Sequence, residues 1–468
     1  MSKSFSELAL PQAQLKNLES MSYTHMTEIQ EQALPIALAG GDLIAQAQTG
    51  SGKTAAFAIA LLNNINPRDF GAQALVTCPT RELCTQVANE IRLLARYLQN
   101  IKVVVLCGGQ AIGPQIGSLA HGGHIIVGTP GRLRDHLRKK TLDISRVNTL
   151  VLDEADRMLD MGFEEDLAAI IEETSSKRQT LLFSATYPEN IQSIAQQYLN
   201  SPEHITVEAG KILKSIQQHF FSLGKQQSPE ARLEAVYKLF MNFEAESCMV
   251  FCNTKQDTRD TAKYLIKQGI SALALHGDLE QRERDQVLIQ FRNGSCQVLV
   301  ATDVAARGLD IEQLPLVINA DLPRDLEVYT HRIGRTGRAG NEGIALGVFF
   351  EQERFRVDAL LERQENSDAS IQSISAIGEA TRAPSTPAKR SIMIAGGRKN
   401  KIRAGDILGA LTAENGIDGK AIGRIDLLDF SSIVAIDTQV AKQALKQLES
   451  RRIKGQKFKV RFCGRGVD

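Results

Sequence analysis

The sequence predicts an α/β chain: two parallel-sheet domains in tandem, then a small α+β domain at the C-terminal end. Three observations predict it. Short apolar runs alternate with amphipathic stretches through the first 210 residues, the alternation restarts after Ser215, and residues 391–468 run strand, helix, strand, strand, helix, strand.

The first runs, between Asp42 and Thr186, are DLIAQ, ALVTC, KVVVL, HIIVG, TLVLD and TLLFS. They are rich in Val, Ile and Leu without polar alternation, as parallel strands covered on both faces are. Stretches such as ELCTQVANEIRLLARYL supply the covering helices. SCMVFCN, SALALHG, CQVLVAT, LVINAD and IALGVFF repeat the scheme. The spacing places one domain at 31–210 and a second at 211–364, with 1–30 as a leading segment. Residues 365–390, rich in Ser, Ala, Thr and Pro, read as a linker with one helical turn near Ile371 to Ile377. In 391–468, SIMIA, IGRIDLL, SSIVAI and QKFKVRF are strands and GDILGALT and TQVAKQALKQLES helices, the split βαβ order. Val440, Ala441, Ala444, Leu445 and Leu448 share one helix face, and Phe458, Val460 and Phe462 alternate with Lys457, Lys459 and Arg461.

Composition excludes several classes. With 468 residues, 43% apolar and 23% charged, the chain is neither disordered nor fibrous. No run approaches the roughly 18 apolar residues of a membrane span, and the start MSKSFSELALPQAQ lacks a basic-then-apolar secretory layout, so a cytoplasmic protein is expected. Seven Cys without a C-x-x-C pair argue against disulfides and zinc. The net charge of +1 divides unevenly. Residues 391–468 hold 15 Lys and Arg against 8 Asp and Glu, a net +7, and the other 390 residues carry −6. A basic end suits an anionic polymer, or else a solvated face.

The chemistry lies in a few ordered segments. AQTGSGKT, Ala47 to Thr54, follows a strand and opens a helix. Backbone N–H groups of Gly50, Ser51 and Gly52 can wrap a phosphate, Lys53 can reach the β and γ phosphates, and Thr54 can ligate Mg²⁺. Ala47 stands where the generic pattern has its first Gly. TLVLDEAD places Asp153 and Glu154 at the C-terminal end of a strand, where acids can hold Mg²⁺ and polarise an attacking water. The second domain has no such loop; its HRIGRTGRAG carries Arg335 and Arg338, spaced to act as arginine fingers.

From about Phe5 to Phe350 these segments resemble the DEAD-box RNA helicases, in family order: Phe5, Tyr23 and TEIQ, then AQTGSGKT, PTREL, Gly108 and Gly109, TPGR, DEAD and SAT, then VFCNT, QRER, ATDVAARGLD and HRIGRTGR. The resemblance implies two RecA-like domains with ATP and Mg²⁺ as cofactors, residues 1–30 forming the adenine-recognition segment. Tyr23 and Gln30 would read adenine, and Ala47, Gln48, Thr49, Gly50, Ser51, Gly52, Lys53 and Thr54 would bind the phosphates, with Thr54 and Asp153 on the metal. Glu154 would position water, Asp310 would meet the ribose, and Ser184 and Thr186 would couple hydrolysis to the domain interface. Pro79, Thr80, Arg81, Gly109, Thr129, Gly131, Arg132, Arg284 and Thr302 would track the RNA backbone. Ser22 and Met26 depart from the family's usual Gly and Pro.

The basic end is similar to that of the bacterial DbpA helicases, through KNKIRAGDILGALT and RRIKGQKFKVRF. That implies an RNA-recognition-motif-like domain for a hairpin of large-subunit ribosomal RNA, acting on pre-ribosomal particles, with Arg398, Lys399, Lys401, Arg403, Arg451, Arg452, Lys454, Lys457 and Lys459 on the RNA. Its strands SIMIA and SSIVAI lack the aromatics on which such sheets stack bases. Either charge and shape do the reading, or the domain is a packing module. The expected activity is RNA-stimulated ATP hydrolysis with local unwinding of short rRNA duplexes. An ATP-gated RNA clamp is the alternative, and no membrane or DNA partner is expected.

Overall fold

The computed structural model describes residues 3–464 except 49, 208–215, 226–227, 307–308, 310, 312–313, 338–341, 364–368, 380–382 and 414–415, and leaves the side chains of Leu326 and Arg363 aside. Two compact units are described separately.

The first unit is built on seven parallel strands: β1 (Leu43–Gln46), β2 (Ala74–Thr77), β3 (Val103–Leu106), β4 (Ile125–Gly128), β5 (Thr149–Asp153), β6 (Gln179–Ser184) and β7 (Glu203–Thr206). They lie in the order β3-β4-β2-β5-β6-β1-β7. Helices on both faces bury β2, β4, β5 and β6 completely, which is why those runs show no alternation. The helix Lys53–Asn63 is buried from Ala55 to Leu62, so it is apolar nearly all round.

The second unit repeats the plan with β8 (Ile216–Ser222), β9 (Cys248–Cys252), β10 (Ala272–Leu275), β11 (Val298–Thr302), β12 (Leu316–Asn319), β13 (Gly343–Phe349) and β14 (Ser370–Ser373). Its order, β10-β11-β9-β12-β13-β8-β14, has the same topology. The expectation of a linker over 365–390 is corrected here, because Ser370–Ser373 pairs in parallel with β8, Ile371 opposite Phe220. An edge strand shows solvent one face, so its polar residues hid it from an apolar-run reading.

The same unit carries the small domain: β15 (Lys389–Ile394), β16 (Ile422–Leu427), β17 (Ser432–Asp437) and β18 (Val460–Phe462), antiparallel, in the order β16-β17-β15-β18. Helices Ala404–Thr412 and Ala441–Ser450 bury Ile407, Leu411, Ala444 and Leu448 against Ile392, Ile394, Val434 and Ile436. The opposite sheet face is also covered. Met393, Ile433 and Cys463 pack on Ile289 of helix Gln281–Arg292. Ser391 Oγ accepts from Asn293 Nδ2 at 2.8 Å and lies 2.9 Å from Ser295 Oγ. A face that packs on apolar side chains explains why these strands lack stacking aromatics.

All seven cysteines are buried and unbridged, and no helix among the described residues is long and apolar enough to cross a membrane.

Candidate active site

Apart from the leading segment with Phe5, Tyr23 and Gln30, the motifs of the first unit lie at the C-terminal edge of its sheet, where ligands of open α/β sheets bind. Loops after β1, β5 and β6 carry Ala47 to Thr54, Asp153 with Glu154, and Ser184 to Thr186. Loops after β2, β3 and β4 carry Pro79 to Arg81, Gly109, and Thr129 to Arg132. Strand order therefore sorts the candidates into a nucleotide half and an RNA half, which meet between β5 and β2.

In the nucleotide half Gly50 and Gly52 have φ of +80° and +96°, backbone that only glycine adopts without strain. A Cβ on Gly52 would also stand 2.5 Å from Gln30 Nε2. Gln30 Nε2 donates to Gly52 O at 3.1 Å and Gln30 Oε1 accepts from Thr27 N at 2.9 Å, joining a helix cap to the phosphate loop. Lys53 is buried, and its ammonium donates to Ala47 O at 2.7 Å. Tyr23 hydroxyl donates to Glu90 Oε1 at 2.7 Å, and its ring meets Phe5 edge-on at 6.0 Å. Burial, with Glu90 beside it, holds that phenol far above its ordinary range. The family departures have local reasons. Ser22 takes the left-handed φ of +63° itself, and Met26, unlike Pro, donates its N–H to Lys3 O at 2.9 Å.

The acids are held in tension. Burial pushes the Asp153 carboxyl up to about 7, against the pull of Lys53. Glu154 caps the helix Ala155–Asp160 in a left-handed conformation, φ +53°. Its buried Oε2 lies 3.5 Å from Arg157 Nε without a hydrogen bond. Two adjacent buried carboxylates, countered among the described residues only by Lys53 and by Arg157 at 3.5 Å, have room for a further cation, so these residues suit a metal–nucleotide ligand. Thr54, half-buried in the first turn of the phosphate-loop helix, belongs to the same edge. One residue was given no role by sequence reasoning. Asp156 Oδ2 accepts from Ala185 N, Thr186 N and Thr186 Oγ1 at 3.1, 3.0 and 3.1 Å, and Asp156 N donates to Ser184 Oγ at 3.3 Å. It clamps DEAD to SAT, and only its place in the motif hinted at this.

In the RNA half Thr80 Oγ1 caps the helix Arg81–Leu94, and Gly109 has φ +71°. Arg132 Nη2 donates to Gln110 O at 3.0 Å, tying the loop after β4 to that after β3, while its buried Nη1 has no partner. Pro79 is buried, and Thr129 and Gly131 are half-buried around that tie.

In the second unit Thr302 ends β11, its Oγ1 accepting from Ala305 N at 3.4 Å, and Arg284 Nη2 donates to Ala305 O at 3.3 Å. Arg335 is buried just past the helix Leu326–Ile333. Thr49, Asp310 and Arg338 lie outside the described residues. Sequence reasoning missed Arg332, which is 1% exposed. It binds both oxygens of Asp303 at 2.6 and 2.7 Å, Asn253 Oδ1 at 2.8 Å and Asn319 Oδ1 at 3.2 Å, and sits 5.3 Å over the Phe251 ring. In the small domain Arg398, Lys399, Lys401, Arg403, Arg452, Lys454, Lys457 and Lys459 are exposed, whereas half-buried Arg451 donates to Ala410 O at 2.8 Å.

Comparison with known proteins agrees with this layout. The DEAD/DEAH box helicase model matches residues 27–194, the helicase conserved C-terminal domain 231–340, and the DbpA RNA binding domain 391–462. The ATP-dependent RNA helicase DbpA of Escherichia coli is 48% identical over 97% of this chain and 98% of its own. The chain belongs to the DbpA family of DEAD-box RNA helicases. It is therefore an ATP-using RNA helicase, an RNA-binding hydrolase with two RecA-like domains. Its Bacillus subtilis DbpA relative is 37% identical over 95% of this chain and 96% of its own. Saccharomyces cerevisiae Dbp5 bound to RNA and ADP BeF3 covers 80% of this chain and 96% of its own, at 30% identity and a TM-score of 0.72.

Proposed function

We propose that this DbpA-family helicase opens short ribosomal RNA duplexes during assembly of the large (50S) subunit, in the cytoplasm, and is directed to a 23S rRNA hairpin by its C-terminal domain. In this division of labour residues 1–30 recognise adenine, 31–210 hydrolyse ATP, 211–364 with the edge strand Ser370–Ser373 complete the helicase, the rest of 365–390 connects and 391–468 choose the RNA. The carrying observation is the exposed basic set from Arg398 to Lys459 on a domain whose sheet face is covered. Such charges hold phosphate without reading bases through the sheet.

Within 1–210, Tyr23 and Gln30 take the adenine and the loop of Ala47 to Thr54 takes the phosphates. Thr54 and Asp153 would hold Mg²⁺, which when bound neutralises phosphate charge. Glu154 orients the attacking water, and Ser184 and Thr186 relay the outcome through Asp156. Arg335 and Arg338 stabilise the charge developing on the transferred phosphate, and Asp310 meets the ribose. Pro79, Thr80, Arg81, Gly109, Thr129, Gly131, Arg132, Arg284 and Thr302 follow the RNA backbone.

The test keeps the chain whole, because removing 391–468 would uncover Ile289. Arg398, Lys399, Lys401 and Lys454 are together replaced by Gln. ATPase stimulation by 23S and 16S rRNA fragments of equal length is then compared at two salt concentrations. The parent protein should prefer 23S, and the variant should lose both the preference and about three units of salt slope. Equal discrimination in both removes targeting from this domain. Absence of strand displacement beside the preferred hairpin would favour the clamp.

A further inference from the structure

The C-terminal domain contains three aromatic residues, Phe430, Phe458 and Phe462. Two belong to its interior. Phe458 and Phe462 pack against the core, and the Phe458 ring fills the space a Cβ on Gly396 would need. Phe430 is 72% exposed, at the tip of the turn joining β16 to β17. Turn tips favour Gly, Asn or Asp, and a phenylalanine left in water there gives the fold nothing.

The tip is well held. Leu428 N–H donates to Ser431 O at 2.8 Å, and buried Ser432 donates its hydroxyl to Gly396 O at 2.6 Å. Arg398 N–H donates to Leu428 O and Lys399 N–H to Asp429 O, each at 2.9 Å. A Cβ on Gly397 would stand 2.2 Å from Leu428 O, so the two segments are in direct contact. Exposed Arg398 and Lys399 are therefore anchored through their main chain to the two residues just before Phe430, and no ion pair of either is found among the described residues. Lys454 Nζ donates to Lys401 O at 2.8 Å, bringing a further basic loop to the same surface. Asp429, exposed next to the ring, repels a phosphate at the tip itself.

We propose that Phe430 is a stacking platform for one unpaired RNA base, with Arg398 and Lys399 on the phosphates beside it. The proposal rests on the reading of this domain as the RNA-choosing part. The sheet face that would otherwise stack bases is covered, so an aromatic ring among unpaired cations is where a π-face can be met. The cations take the backbone, Asp429 keeps it off the tip, and the base reaches the ring. Charge complementarity selects RNA over an apolar protein segment.

The test uses the full chain and a pool of RNA hairpins with randomised seven-nucleotide loops. The loop most enriched by the parent protein becomes the probe for titrations with F430A, F430L, F430W and the pair R398Q/K399Q, each checked by thermal melting. F430A and F430L should weaken binding about 10-fold or more, and F430W should stay within about 3-fold of the parent. The R398Q/K399Q pair should weaken every loop alike. Parent-like binding by F430A or F430L overturns the stacking role alone and leaves the turn to a protein partner. If the parent enriches no loop and R398Q/K399Q binds as tightly as the parent, the reading of the domain as the RNA-choosing part falls, and the proposal with it.

Discussion

The two seven-stranded sheets share one topology, and burial raises the carboxyl of an acid at or just past the end of the fifth strand in each, yet they give those acids different partners. After β5, the Asp153 carboxyl is pushed up to about 7 by burial, and Glu154 Oε2 is buried without a hydrogen bond. After β12, Asp321 pairs with Arg232 at 2.5 Å and accepts from Asn253 N at 3.1 Å, and Arg232 also reaches Glu353 at 2.8 Å. Sheets of one shape thus differ in who satisfies the charge. Near the end of β12 the acid has direct hydrogen-bonding partners, whereas after β5 Glu154 Oε2 has only the Arg157 ion pair at 3.5 Å. A buried acid oxygen that the fold leaves without a hydrogen bond marks a working edge more sharply than the fold does.

The largest expected effect breaks the first side of this comparison. Glu154→Gln removes the carboxylate proposed to orient water and leaves the phosphate loop intact, so RNA-stimulated turnover should fall about 10³- to 10⁴-fold. ATP affinity, measured separately, should stay within about 3-fold. Near-normal turnover would take Glu154 out of the chemistry.

On the second side the expected losses are of stability. Arg332→Ala removes a buried cation, leaving part-buried Asp303 without its bidentate partner and the buried Asn319 Oδ1 without a donor, and should cost about 3–5 kcal/mol in denaturant unfolding. Asp321→Asn keeps the shape but drops the charge facing a partly exposed Arg232. It should cost less, about 1–3 kcal/mol. An Asp321→Asn loss as large as that of Arg332→Ala would erase the distinction between hub and rim.

How much of this the sequence disclosed follows from which side chains faced water. Fully buried strands such as TLVLD and CQVLVAT announced themselves as apolar runs, and phosphate loop, DEAD and SAT stood in order. β7, β8 and β14 did not, because their polar and apolar residues mix where a face or an edge meets solvent. The repeat itself holds the missing clue, since β14 sits in the second sheet where β7 sits in the first. Arg332 escaped because a buried arginine inside a basic motif looks like its neighbours until its acceptors, 11 to 79 residues away, are brought to it. Asp156 escaped likewise, as an acid in an acidic motif whose partners lie 28 to 30 residues on.

The smallest expected effect probes how much strain the nucleotide side tolerates. Ser22 follows the helix Gln12–Ser20 in the left-handed region, φ +63°, where a helix end usually places Gly. Tyr23 N donates back to Leu18 O at 3.0 Å, so this turn sets where the Tyr23 ring begins. A non-glycine residue there costs about 1–2 kcal/mol of backbone strain, and glycine returns about 0.5–1 kcal/mol of that through its freer unfolded chain. Ser22→Gly should therefore stabilise the first unit by roughly 0.5–1 kcal/mol and leave ATP affinity within about 2-fold, since the backbone path to Tyr23 is kept. The companion Met26→Pro should go the other way, because it deletes the donor to Lys3 O and removes a side chain that is 4% exposed in the core. If Ser22→Gly instead lowered the melting temperature, the serine hydroxyl would be supplying more than the turn costs, and strain would not be a mark of this side of the molecule.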